Sequence, residues 1–128
     1  MNLYNLHSNP ESLDFYEKVT ETNPDFFWEK YKKNKEELKK REKYIAKSTQ
    51  YSYYYALDVL KGPFPTGEEA IAKNAGYAYD YAKDALKGPF PAGEAAIAKD
   101  EYFASLYAKN VLKKDFYLNG KLIAKYRP

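Results

Sequence analysis

The side chains that could carry out a chemical reaction are few in this 128-residue chain, and their spacing does not bring them together. His7 is the only histidine, so a Ser-His-Asp site would depend on it, yet no nucleophile motif accompanies it. The absence of cysteine excludes disulfides, thiolate catalysis and cysteine-based zinc sites. Gly62 and Gly88 lack the spacing of a phosphate-binding loop, and no metal-ligand spacing occurs. We therefore expect no catalytic residues, no metal and no cofactor.

Carboxylates recur at one regular position, at Asp58 and Asp84, and Asn110 follows at the same spacing of 26 residues. Phosphoryl or glycosyl chemistry needs carboxylates that converge on one bond, and this spacing does not make them converge. On a helical wheel the three residues point away from the apolar side, which indicates exposed partners for lysine. Glu68 and Glu94 lie in the first turn of a predicted short helix, where they would stabilise its dipole. The sequence thus predicts a protein that is not an enzyme.

Tyrosine is overused, at 15 of 128 residues, and this abundance points to binding surfaces. A predicted apolar helix face accounts for five of these rings and has Tyr53 and Tyr79 at its edge. Tyr54 lies on the opposite face beside Leu57, and the next unit of the chain has charged residues at the corresponding positions. Either an N-terminal helix covers Tyr54 and Leu57, or these two side chains anchor a partner. The candidate partner-binding residues are Tyr53, Tyr54, Leu57 and Tyr79.

Basic residues concentrate in residues 30–47, where nine lysines or arginines stand against three glutamates, a net charge of +6. The whole chain carries only +3, which argues against nonspecific coating of nucleic acid. One lysine per 26 residues, ending at Lys125, predicts a column with steps of about 10 Å. These lysines either form a solvated surface or follow a nucleic-acid backbone while tyrosines stack on bases. The candidate basic-surface residues are Lys32, Lys33, Lys39, Lys40, Lys47, Lys73 and Lys99.

An internal repeat explains most of this regular spacing. Residues 55–65 read YALDVLKGPFP and return 26 residues later as YAKDALKGPFP. The tripeptide Ile-Ala-Lys extends the same register, beginning at Ile45, Ile71, Ile97 and Ile123. Repetition at this period predicts stacked helical units rather than a single-copy active site.

Each repeat unit is predicted to contain two helices joined by a turn. A first helix begins after an N-cap residue, and its apolar positions recur at i, i+1, i+4, i+5, i+8 and i+9, which makes a buried arc. Lys-Gly-Pro ends this helix, with the glycine (Gly62 or Gly88) in the left-handed conformation. Thr66-Gly67-Glu68-Glu69 resembles a capping box that opens the short second helix. The N-caps are Ser48, Asn74 and Asp100, and the aromatic residues expected in the core after the turn are Phe64, Phe90 and Phe116.

The two ends of the chain depart from the repeat. Asn9-Pro10-Glu11 and Asn23-Pro24-Asp25 are helix-start signals, and residues 25–47 contain no further glycine or proline, which predicts one long helix. At the other end, the repeat register favours a final short helix that buries Ile123. Asn119-Gly120 between two apolar segments instead favours a β-hairpin, and both endings stay open.

These patterns together predict an all-α fold, a short α-solenoid of helix-turn-helix repeats preceded by a long N-terminal helix, with a small C-terminal hairpin as the alternative ending. We expect one domain over residues 1–128, with an N-terminal helical segment at 1–41 and about three repeats with a degenerate C-terminal cap at 42–128. No secretory signal is recognised, and the apolar segments are too short to span a bilayer. A cytoplasmic protein without membrane contact is expected.

The repeat resembles a known family. The pattern Tyr-Ala-x-Asp-Val-Leu-Lys-Gly-x-Phe-Pro-x-Gly-Glu-x-Ala-Ile, carried by residues 55–71 and 81–97, is similar to the tandem helical repeat of small, mostly uncharacterised proteins of tailed bacteriophages. The resemblance covers about residues 44–125, and the basic segment before residue 42 departs from it. It implies a phage origin and a site of action in the cytoplasm of an infected bacterium, and it brings no catalytic residues.

Two functions follow as expectations. The first is a non-enzymatic repeat protein that binds a host or viral protein, inhibiting or redirecting it during infection. The second is binding of RNA or single-stranded DNA through the basic segment and the lysine column. Sequestration of a nucleotide ligand between repeats is a distant third. A homodimer is also expected, because the open end of a short solenoid exposes apolar surface.

Overall fold

A computed structural model describes residues 28–29 and 31–128 of the chain. The chain divides into two compact units, residues 1–45 and 46–128. The division falls a few residues after the expected start of the repeats at residue 42. The helix starts predicted at Asn9-Pro10-Glu11 and Asn23-Pro24-Asp25, and His7, lie outside the described residues.

The described part of the first unit is helical, but in short pieces. Residues 28, 29 and 31 are helical, α1 spans Lys35–Lys39 and α2 spans Glu42–Ile45. Asn34 separates the first two pieces, because its backbone is extended (φ −117°) and its side chain accepts a bond of 3.2 Å from the Glu37 amide. An asparagine can thus begin a new helix in a segment that has no glycine or proline. The prediction of one uninterrupted helix over residues 25–47 is therefore wrong.

The first helix of each repeat begins where the N-caps predicted it. We number the repeats 1 (48–73), 2 (74–99) and 3 (100–125). Their first helices begin as α-helices, namely α3 (Thr49–Tyr54), α5 (Ala75–Asp80) and α7 (Glu101–Leu106). The side chains of Ser48, Asn74 and Asp100 accept bonds of 2.9–3.1 Å from the amide three residues later. The capping prediction is confirmed.

The second half of each first helix is a π-helix, which the sequence pattern did not indicate. These segments are Tyr55–Leu60, Tyr81–Leu86 and Tyr107–Leu112. The backbone then turns at Lys61, Lys87 and Lys113, which have φ values of 54°, 54° and 55°. The prediction that Gly62 and Gly88 take the left-handed position is wrong. A π hydrogen bond joins residues five apart, whereas an α hydrogen bond joins residues four apart. The helix ends one residue earlier than predicted, so the left-handed position, where glycine is usual, is a lysine.

The second helix of repeats 1 and 2 follows a 3₁₀ turn. In repeat 1 the turn is Pro65–Gly67 and α4 spans Glu68–Ile71; in repeat 2 they are Pro91–Gly93 and α6, Glu94–Ala98. No side chain caps α4, so the predicted capping box is wrong. Gly67 serves packing instead, because a Cβ built there would lie 2.6 Å from the Phe64 ring and from Ser52 Oγ.

The core of each repeat unit contains an aromatic pair. The phenylalanine after each turn is buried, as predicted, and packs edge-on against the tyrosine that begins the π-helix of its own repeat. Ring centroids are 4.8–5.0 Å apart in Tyr55–Phe64, Tyr81–Phe90 and Tyr107–Phe116.

Repeat 3 ends in an antiparallel hairpin, not in a helix. Strand β1 spans Phe116–Leu118, β2 spans Lys121–Ala124, and Tyr117 faces Leu122 across the pair. Asn119 and Gly120 have φ values of 52° and 79°, the two left-handed positions of a type I′ turn. The final helix favoured by the repeat register is therefore wrong and the hairpin is confirmed. The hairpin packs on α6 and α7, so the all-α solenoid carries a small β cap.

Candidate functional site

The buried tyrosine at the start of each later π-helix connects neighbouring repeats. The Phe64 amide donates to the Tyr81 hydroxyl at 2.8 Å, and that hydroxyl donates to Glu68 Oε2 at 2.7 Å. One repeat later, the Phe90 amide, Tyr107 and Glu94 form the same relay with distances of 2.9 and 2.6 Å. Because Tyr81 and Tyr107 each belong to the following repeat, these relays join repeat 1 to repeat 2 and repeat 2 to repeat 3. Burial, followed by the bond to the carboxylate, raises the pKa of both tyrosines well above their ordinary value. The two glutamates therefore do more than stabilise a helix dipole.

Two candidate binding tyrosines are also used between repeats. Tyr53 and Tyr79 are only 8% and 4% exposed, so neither presents a ring on which a base could stack. The Tyr53 hydroxyl donates to Asp84 Oδ2 at 3.0 Å, and Asn110 Nδ2 donates to the Tyr79 hydroxyl at 2.8 Å. Burial and the bond to Asp84 raise the pKa of Tyr53. The expectation that Tyr53 and Tyr79 form a partner surface is wrong, because the stacking of repeats covers the edge of the apolar arc.

Asp84 and Asn110 were expected to be exposed partners for lysine. Asp84 does lie 3.7 Å from Lys83 Nζ, but its side chain is only 34% exposed and its other oxygen bonds Tyr53. Asn110 is exposed and also bonds a tyrosine of the preceding repeat. The position therefore serves mainly to join repeats.

Tyr54 and Leu57, the outward apolar pair, are both half-buried. The Tyr54 ring lies 6.3 Å from that of Tyr51 and 5.7 Å from that of Tyr53. Burial, and then a hydrogen bond with Tyr54, raises the pKa of Tyr77 in the next repeat. Tyr54 is thus part of an aromatic cluster within the repeats, and neither residue stands out as a surface anchor.

The candidate basic-surface lysines are all exposed, in both units: Lys32, Lys33, Lys39, Lys40, Lys47, Lys73 and Lys99. Part of this charge is neutralised locally. Lys32 Nζ lies 2.8 Å from Glu29, and Lys40 Nζ lies 3.5 Å from Glu37. Glu37 also pairs with Arg41, and this bond is the main reason why its pKa is lowered. Surface pairs of this kind weaken the field of the basic segment but leave its lysines accessible.

The large apolar side chains that the described structure exposes most lie near the C-terminus. We call Tyr102, Tyr117, Leu122 and Tyr126 the terminal aromatic surface; they are 66%, 56%, 38% and 37% exposed. Tyr117 and Leu122 face each other across the hairpin, and α7, which carries Tyr102, packs on β2. Sequence reasoning missed this surface. A signal was present, because Tyr102 occupies the register position of Gln50 and Gly76.

A surface groove of about 810 Å³ opens beside the hairpin. Its lining combines apolar and polar side chains, among them Pro89, Glu94, Leu112, Phe116 and Tyr117. The surrounding chain is basic: residues 113–128 contain five cations and one carboxylate, a net charge of +4. The end of the chain thus offers exposed rings, a groove and positive charge in one region.

Residues 28–29 and 31–128 contain no cluster of histidine, aspartate or glutamate that could hold a metal ion. Within the same residues, no helix has the length and apolar character needed to cross a bilayer. Comparisons with protein-family models, with curated proteins and with solved structures found no match to this chain.

Proposed function

We propose that this protein is a non-enzymatic helical-repeat protein that binds another protein through its terminal aromatic surface. The observation that carries the proposal is the exposure of Tyr102, Tyr117, Leu122 and Tyr126 at one end of the chain. Tyrosines that are fixed on a packed scaffold are typical anchors of protein interfaces, because they bury much area for little loss of conformational entropy. The interior tyrosines, in contrast, are used for packing.

The charge around this surface indicates the kind of partner. Residues 113–128, which include three of the four exposed residues, carry a net charge of +4, so an acidic protein surface with an apolar centre would be complementary. Lysine and arginine at the rim would speed association, whereas the rings would supply most of the affinity.

The resemblance of the repeat to proteins of tailed bacteriophages supports a setting for this interaction. In that setting the partner is a host protein, and binding inhibits or redirects it in the cytoplasm of the infected cell. Nothing in the proposal requires a cofactor or a metal.

The test begins with capture of partners from a bacterial lysate at two salt concentrations, with the intact chain and a Tyr102→Ser, Tyr117→Thr variant as baits. A protein that is retained at both salt concentrations by the intact chain and lost by the variant is then purified for a direct binding measurement. Recovery of no protein by the intact chain at either concentration would count heavily against the proposal.

Two further readouts separate the alternatives. Binding of an RNA or single-stranded DNA that weakens steeply with salt, and that is lost on neutralising Lys32, Lys33, Lys39 and Lys40, would favour the nucleic-acid function instead. Self-association by analytical ultracentrifugation that disappears in the Tyr102→Ser, Tyr117→Thr variant would identify the partner as a second copy of the chain.

A further inference from the structure

A small polar pocket lies between repeats 2 and 3, next to the groove beside the hairpin, with which it shares Val111. Its volume is about 240 Å³, and its lining includes Lys83, Lys87 and Lys113 together with Gly88 and Asn110. Drug-sized ligands occupy about 300–1,000 Å³, so this pocket suits a smaller group. Three lysines therefore line a pocket that is large enough for a small ligand only.

The three lysines meet because of the repeat. Lys87 and Lys113 are the left-handed residues that end the first helices of repeats 2 and 3, with φ values of 54° and 55°. They are equivalent positions in consecutive repeats, and both line the same pocket. Lys83 lies one helical turn before Lys87 and completes the set.

Among the described residues, few groups neutralise this charge. In the part of the chain that the structure describes, neither Lys87 nor Lys113 forms an ion pair with a carboxylate, and only Lys83 has one nearby, Asp84 at 3.7 Å. Asn110, which stands at the register position of Asp84, supplies an amide where the preceding repeat has a carboxylate. Three like charges around one pocket repel one another unless an anion lies between them.

The preceding repeat provides an internal comparison. One register step earlier, the positions of Lys83, Lys87, Asn110 and Lys113 are occupied by Leu57, Lys61, Asp84 and Lys87. Those side chains sum to +1, whereas the side chains of the pocket sum to +3. The accumulation of positive charge is thus specific to the junction of repeats 2 and 3 and is not a consequence of the repeat itself.

We propose that this pocket binds the phosphate group of a small anionic ligand. Phosphate fits the chemistry because lysine binds it as a compact point charge, and several oxygens can accept bonds from separate ammonium groups at once. The Asn110 amide supplies a further polar group on the pocket wall. The size of the pocket favours a single phosphate or diphosphate group over a complete nucleotide.

The left-handed lysines allow a sharp test, because glycine is the residue that their backbone favours. Lys87→Gly and Lys113→Gly remove a cation without imposing a new backbone conformation. Lys61→Gly makes the same change at the equivalent helix end that does not line the pocket. All three variants are expected to fold, so that loss of binding reports the charge and not the fold.

The experiment measures the thermal midpoint of the intact chain and the three variants as inorganic phosphate or pyrophosphate is added, with ionic strength held constant by sodium chloride. The proposal predicts a midpoint that rises with either anion in the intact chain and in Lys61→Gly. It predicts affinity about tenfold weaker in Lys87→Gly and in Lys113→Gly, since each charge-assisted bond lost weakens binding by roughly that factor.

Three results would overturn the proposal. One is no shift with either anion in the intact chain, and another is an equal shift in all four proteins. The third is a thermal midpoint that rises with a single-stranded oligonucleotide but not with pyrophosphate. That result would assign these lysines to an extended nucleic-acid surface. The pocket lining contains none of the four residues of the terminal aromatic surface, so failure of the phosphate proposal leaves the proposed protein interaction standing.

Discussion

The junctions between repeats and the C-terminal end use the same residue type in opposite ways. At the junctions, Tyr53, Tyr79, Tyr81 and Tyr107 are buried and their hydroxyls bond groups in the neighbouring repeat. At the end, Tyr117 and Tyr126 are exposed. Tyr117 lies on the hairpin that replaces the second helix of repeat 3, and Tyr126 follows that hairpin. The comparison teaches that tyrosine content alone does not locate the exposed rings, because Tyr117 and Tyr126 are exposed where the hairpin departs from the repeat pattern.

Removal of an aromatic ring is expected to give the largest difference in stability between the core of the repeats and the C-terminal end. Phe90→Ala should lower the free energy of unfolding by about 3–5 kcal/mol, because Phe90 is 2% exposed and packs against the buried Tyr81 ring. Tyr117→Ala, at a ring that is 56% exposed, should change it by less than about 1 kcal/mol. Urea unfolding of both variants measures the contrast, and equal losses would remove the distinction between the two regions.

Removal of one hydroxyl tests the relay. Tyr81→Phe leaves the Phe64 amide and the Glu68 carboxylate without their shared partner, so we expect a loss of about 2–3 kcal/mol. Tyr117→Phe is the matched control and should be close to neutral, because the Tyr117 side chain is 56% exposed. If Tyr81→Phe is as stable as the intact chain, the relay does not hold the repeats together.

Alkaline pH should reveal the same relays without mutation. Burial raises the folded-state pKa of Tyr81 and Tyr107 above that of the unfolded chain. Their contribution to stability is therefore complete below about pH 10 and is lost above it, by about 1.4 kcal/mol per pH unit for each tyrosine. The measurement is urea unfolding between pH 8 and 11, approximate limits chosen around the ordinary tyrosine pKa. Ionisation of these tyrosines at pH 10 in a protein that remains equally stable would contradict the prediction.

The smallest effect is expected at Asp80. Burial, and then repulsion from Asp84, raises the pKa of Asp80, so its ionisation weakens the folded state as pH rises through that pKa. Asp80→Asn should therefore raise stability slightly at pH 7, by less than about 1 kcal/mol, and should have no such benefit at acidic pH. Asp58→Asn, at an exposed aspartate of the preceding repeat, is the control, and a larger gain there would show that the cause is general surface charge.

Local chemistry explains which parts of the fold could be predicted from the sequence. Two features depend on neighbouring residues and could be predicted from the repeat register. They are the N-caps at Ser48, Asn74 and Asp100 and the buried phenylalanine after each turn. The π-helical segments were not predicted, because α and π bonding differ by one residue in hydrogen-bond register and both bury the same arc. Asn119-Gly120 indicated the hairpin, whereas the repeat register favoured a final helix at the same place.

The candidate site was harder to predict, because burial of side chains between repeats depends on how the layers stack. Tyr53 and Tyr79 lie at the edge of the arc within one helix and become buried only when the next repeat covers them. The terminal aromatic surface, in contrast, lies on repeat 3 and its hairpin, and its four side chains remain exposed. Comparison of equivalent positions in the three repeats therefore identifies packing residues well. It indicates exposed residues only where the last repeat departs from the pattern.

The affinity of the captured partner for two variants tests the central claim most directly. One variant carries Tyr102→Ser and Tyr117→Thr in the terminal aromatic surface, and the other carries Lys32→Gln, Lys33→Gln, Lys39→Gln and Lys40→Gln in the basic segment. The account predicts that the first loses at least about 2 kcal/mol of binding free energy, roughly thirtyfold in Kd, and that the second loses less than about threefold. The reverse order, with the lysine variant unable to bind and the tyrosine variant unaffected, would contradict it.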